Sequence, residues 1–147
     1  MIRRLAPFIF LIILLSCQSK PSEVYSNAEG AIGGYDPVAY FKEGKPVKGE
    51  KNFSTNWNDA QWYFSSQENL NDFTSDPLKY APQYGGYCAY GTADGHKAST
   101  QPETWTIVDG KLYLNYNLDV KALWMKDQSG MIHKADSNWT FVKLMEY

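Results

Sequence analysis

The sequence predicts a small single α+β domain in which a short antiparallel sheet, including a β-hairpin at 104–116, packs against several helices. Three observations support this class. Strand and helix signals follow one another without a regular βαβ alternation. An Asp109-Gly110 pair sits between two runs of β-formers. The last thirty or so residues carry apolar positions three or four apart behind good capping residues. With 147 residues there is room for one sizeable core, and 16% aromatic, 44% hydrophobic and 20% charged residues describe a chain that folds.

The N-terminus comes first in chain order. Arg3 and Arg4 precede an apolar run from Leu5 to Leu15, which ends at Ser16-Cys17. That run is roughly half the twenty residues a helix needs to cross a bilayer, so it predicts a cleaved export signal over 1–16 and no spanning anchor. Leu14-Leu15-Ser16-Cys17 resembles the lipobox of bacterial lipoproteins. The resemblance implies that Cys17 is lipidated and holds the protein to a membrane of the cell envelope. Gln18 stands where enteric bacteria place the aspartate of inner-membrane retention, so an outer-membrane location facing the periplasm is favoured. Residues 17–30 are polar and rich in breakers, which predicts a flexible tether before a domain over 31–147.

Loss of the leader removes two arginines and no acid. The formal charge moves from −2 to −4, with 12 basic against 16 acidic residues. Such a balance speaks against nucleic acid as a partner. With Cys17 lipidated, Cys88 is the one remaining thiol, and no internal disulfide can form.

Within the domain, Asp36 before Pro37 predicts a turn or helix cap. Gln61-Trp62-Tyr63-Phe64 reads as a strand. Ser65 with Glu68 three residues on reads as a capping box, opening a helix that carries Leu70 and Phe73 and stops at Asp76-Pro77, with a further turn through Tyr80. Thr104–Val108 and Lys111–Tyr116 form the expected hairpin around Asp109-Gly110. Asn117 is expected to cap a helix with Val120, Leu123 and Trp124, and Ser129 another with Ile132, Ala135, Trp139 and Val142. Tyr35, Tyr40, Phe41, Trp57, Trp62, Tyr63, Phe64 and Trp105 supply most of the expected core.

Several of these segments together carry a family resemblance. Gly34-Tyr35-Asp36-Pro37-Val38-Ala39-Tyr40-Phe41, the aromatic strand into helix at Trp62 to Phe73, and Asp76-Pro77-Leu78-Lys79-Tyr80 resemble the YHS domain in its Tyr-Asp-Pro-Val-Ala-Tyr-Phe branch. Gly85-Gly86-Tyr87-Cys88-Ala89-Tyr90-Gly91, Glu103 to Asn115 and Lys134 to Trp139 are similar to that branch's long form, so the resemblance runs from about Ala31 to Trp139. Metal-binding members carry a Cys after Asp-Pro-Val and further Cys residues after the Tyr-Phe strand, soft ligands for a transition metal. The corresponding places here hold Ala39, Ser65 and Asn69, none of which is a thiolate.

The candidate site therefore moves to Cys88. It follows Gly85-Gly86-Tyr87 and shares a glycine-rich loop with His96 eight residues on. A thiol and an imidazole at that spacing could hold copper or another transition metal, or border a recess for a small ligand lined by Tyr84, Tyr87, Tyr90 and Trp105. The competing reading makes Cys88 a buried hydrophobe and His96 a solvated loop residue. His133 with Asp136 reads as a surface pair, and Lys97 as a charge that could attract an anion. No Gly-x-Ser-x-Gly, Cys-x-x-Cys, His-Glu-x-x-His or phosphate loop occurs, which argues against an enzyme. Two functions follow from the residues: an envelope binding module with a metal or small ligand at Cys88, or a structural domain docking on an envelope protein.

Overall fold

A computed structural model describes residues 20–147. Cys17 and the segment read as an export signal lie outside the described residues. Among the described residues the fold is α+β, six α-helices with three two-stranded antiparallel ladders.

Two tiny strands, β1 (Ser26–Asn27) and β2 (Gly30–Ala31), pair first. Helix α1 (Pro37–Lys42) follows, with Pro37 opening the helix and Asp36 capping it. Strand β3 (Glu50–Trp57) then turns through Asn58-Asp59, both at positive φ, into β4 (Ala60–Phe64). Along β4, Ala60, Trp62 and Phe64 point into the core while Gln61 and Tyr63 point away, the period of a half-buried strand. Helices α2 (Gln67–Ser75) and α3 (Pro77–Tyr80) break at Asp76-Pro77. A short α4 (Ala89–Ala93) precedes the hairpin of β5 (Thr106–Val108) and β6 (Lys111–Tyr113), and α5 (Leu118–Lys126) and α6 (Gln128–Val142) close the chain.

The core has two parts. The first gathers Val24, Val38, Tyr40, Trp62, Phe64, Phe73, Leu112 and Leu114. Phe73 is its hub, with ring centroids 5.3 Å from Trp62, 5.1 Å from Phe64 and 5.7 Å from Trp57, tilted and edge-on contacts that add to area burial. The second gathers Tyr84, Ala89, Tyr113, Trp124 and Ala135 between α4, β6 and the last two helices. No described helix is long and apolar enough to cross a membrane.

Several local expectations change. The sheet is three separate ladders, and the expected strand Thr104–Tyr116 pairs only over Thr106–Tyr113. Thr104 belongs to a 3-10 turn whose hydroxyl bonds the Asn115 carbonyl, which pulls both ends out of the ladder. The cap of α2 is Ser66, which accepts from the Asn69 N–H, because Ser65 is drawn to Asp36 instead. Asp127, two residues before Ser129, caps α6.

The expected tether is ordered well before Ala31. Val24 is 1% exposed, the Tyr25 N–H donates to the Gly85 carbonyl, and the Ile32 N–H to the Tyr25 carbonyl. Ser22 and Met145 are clipped together by Lys97, whose Nζ donates to the carbonyls of Ser22 at 2.7 Å, Met145 at 2.6 Å and Lys143 at 3.2 Å. Lys97 is buried over the Tyr87 ring and binds backbone, not an anion.

Candidate functional site

Two polar places in the fold are candidates. The first is Asp36. Its carboxylate is fully buried and takes five donors. Oδ1 accepts from the N–H groups of Val38 at 2.8 Å and Ala39 at 3.2 Å, the capping bonds of α1. Oδ2 accepts from the Ser65 N–H and hydroxyl, each at 2.8 Å, and from Asn69 Nδ2 at 2.7 Å.

Ala39, Ser65 and Asn69, the places at which the sequence resemblance implies thiols in metal-binding YHS domains, all lie at this centre. They converge on one carboxylate although they come from α1, the end of β4 and α2. The residues do not fit a soft metal, because they offer no thiolate and the one carboxylate is saturated by hydrogen bonds. The centre ties the start of α1 to the β4–α2 junction.

The second place is the recess over Cys88. An open hollow of about 310 Å³ is walled by Cys88, Tyr90, Gly91, His96, Tyr116 and Val120, with Ala98 beside them. Cys88 sits at the cap of α4, where its Sγ accepts from the N–H groups of Gly91 at 3.4 Å and Tyr116 at 3.2 Å. Burial pushes the thiol pKa up, against the lowering pull of the N–H groups around it. The thiol faces Asn115 Oδ1 at 3.6 Å, and that oxygen also accepts from the Tyr90 N–H at 3.1 Å. Asn115 Nδ2 is buried and has no partner among the described residues.

His96 reaches the same recess. Its backbone N–H closes the α4 turn on the Gly91 carbonyl, and its half-exposed ring lies with Nδ1 4.0 Å from Asp94 Oδ2. Nε2 lies over Gly91, so close that a Cβ on that residue would stand 3.3 Å from it. Gly91 therefore gives the ring its seat, an instance of glycine admitting close approach to backbone.

Of the aromatic lining expected from sequence, Tyr90 is present and the others lie elsewhere. Tyr84 belongs to the second core and donates its hydroxyl to Asp136 at 2.8 Å. That bond takes the acid expected to pair with His133. Tyr87 packs against Tyr25 and Tyr147, and Trp105 against Tyr40. Tyr116, Val120 and Asn115 are the contributors that sequence reading missed, because they arrive from beyond the hairpin. Among the described residues no three His, Cys, Asp or Glu side chains form a metal-sized group, so the recess offers a thiol and an imidazole as its two donors.

The comparisons divide the two places. Residues 38–84 match the family model of the YHS domain, a segment that includes Ala39, Ser65 and Asn69 but neither Cys88 nor His96. No curated protein and no solved structure matches the chain. The segment from α1 through β3, β4, α2 and α3 to the Tyr84 turn is accordingly the part of the chain that is similar to the YHS domain, over residues 38–84.

Proposed function

We propose that the protein is a lipid-anchored binding module of the bacterial cell envelope, held through Cys17 and facing the periplasm from the outer membrane, with its ligand taken in the Cys88 recess. The observation that carries this reading is that Cys88 and His96 wall one hollow, with Gly91 giving way beneath the ring. The saturated centre at Asp36 is structural on this reading. A buried amide nitrogen without a partner costs about 1–3 kcal/mol, and the Asn115 nitrogen stands beside the single described thiol.

The ligand class is a soft transition-metal ion, monovalent copper first, because a thiolate and an imidazole suffice for a low coordination number. Metal must displace the thiol proton, and burial favours that proton, so uptake strengthens as pH rises. A second reading, docking on an envelope protein, draws on Leu118, Leu123 and Met125 of α5 and on Phe141, all exposed.

The test is anaerobic titration of the detergent-extracted full chain with cuprous ion against a chromophoric competitor. The expected result is about one copper per chain, lost in Cys88→Ala, weakened about tenfold or more in His96→Ala, and weaker at pH 6 than at pH 8. No retained copper, or equal retention in both variants, sinks the metal reading and favours docking, which crosslinking in cells would then examine. Palmitate labelling lost in Cys17→Ala, with recovery in the outer-membrane fraction, checks the anchor separately.

A further inference from the structure

A second hollow, of about 280 Å³, opens between the β3–β4 hairpin and α6, away from the Cys88 recess. Trp57 borders it from the hairpin, Trp139 and Asp136 from one face of α6, Tyr84 from the turn between them, and Glu23 from the N-terminal segment. Among the described residues, no lysine, arginine or histidine lines it. Trp57 and Trp139 are only partly buried, and each rests on a fully packed ring: Trp57 on Trp62 at 6.0 Å, Trp139 on Tyr84 at 5.9 Å.

The fold holds this arrangement under strain. Tyr84 has φ +55°, a left-handed conformation rare for an aromatic residue. Gly85 beside it has φ +62°, and a side chain there would run into the Glu23 carbonyl. Tyr84 is thereby presented to α6, where its hydroxyl bonds one oxygen of Asp136 and fixes the carboxylate at the cleft. No other hydrogen bond to that carboxylate is made among the described residues. Glu23 shares its charge with Lys20 at 3.3 Å, which leaves Asp136 as the main counter-charge.

We infer that this cleft binds an alkylated ammonium ion, with Trp57 and Trp139 as its aromatic walls and Asp136 as its counter-ion. An ammonium whose charge is spread over methyl groups is poorly hydrated, so it gains from indole faces and from one acid without a large desolvation cost. A neutral molecule of the same shape gains only the apolar contact. An anion would meet two carboxylates. The inference is independent of what occupies the Cys88 recess.

The test is tryptophan fluorescence of the full chain titrated with choline and with its uncharged isostere, in which a tert-butyl group replaces the trimethylammonium. Choline is expected to give a saturable change, with the isostere at least about tenfold weaker. Asp136→Asn, which keeps an acceptor for the Tyr84 hydroxyl, should weaken choline about fivefold or more while leaving the isostere unchanged. Trp139→Phe should weaken both, and choline more; an unaltered melting curve certifies either variant. Equal affinity for the two probes, no saturable change with either, or wild-type choline affinity in Asp136→Asn overturns the inference. A short-chain phosphatidylcholine run beside choline separates the sources: tighter binding of the zwitterion assigns the cleft to lipid headgroups, tighter binding of choline to a free cation.

Discussion

Asp36 shows how much one side chain can organise when its environment leaves no lone pair idle. Its carboxylate faces five donors, so removing the acceptor orphans several at once. In Asp36→Asn, whichever way the amide is turned, an N–H group faces other N–H groups. The expected loss is about 3 kcal/mol, read as a lower urea midpoint with an unchanged slope; a loss below about 1 kcal/mol would show that the cluster does not hold α1 to the β4–α2 junction. The first half of this role is legible in the sequence, since Asp before Pro at the head of an apolar turn is a cap. The second half is not, because Ser65 and Asn69 approach only once β4 has folded back over α1. Cys88 behaves alike: its spacing to His96 suggests a shared loop, while Tyr116 and Val120 reach the recess through tertiary structure alone.

Between elements, the signals that survive are those in which a residue's own chemistry acts within four positions. Asn117 caps α5, accepting from the Val120 N–H, and Asp109-Gly110 turns the last hairpin with positive φ at both residues. Strand β3 escapes sequence reading because Lys51-Asn52-Phe53-Ser54-Thr55-Asn56 is largely polar and its register slips between Glu50 and Ser54. The N-terminal segment escapes for a related reason: one buried residue, Val24, among polar neighbours looks like a linker. What secures that segment is Lys97, a cation that satisfies carbonyls at the end of α6 and at Ser22, much as a basic side chain completes a helix C-terminus. Lys97→Met should free both ends, raising amide exchange at Tyr25 and Met145 about tenfold while α1 and β4 keep their protection. Unchanged exchange at those two amides would assign the clip no energetic role.

Taken whole, the molecule is two small cores leaning on one another, with Val24 of the N-terminal segment buried in the first of them. A chain beginning at Pro21 should therefore unfold cooperatively. One beginning at Ala31 loses Val24, the β1–β2 ladder and a partner of Lys97, and should be less stable by about 3 kcal/mol or more; thermal melts of the two compare them directly, and equal midpoints would return residues 22–30 to the status of a linker. The clip also has a mechanical meaning. A pull applied upstream of Ser22 would load the bonds that the Lys97 ammonium and the Tyr87 hydroxyl donate to the Ser22 carbonyl. Lys97 stands between His96 and Ala98, on the lip of the thiol recess. If the chain is held at Cys17 as proposed, tension on the N-terminal segment would be felt at the rim of the proposed ligand recess as well as in the cores.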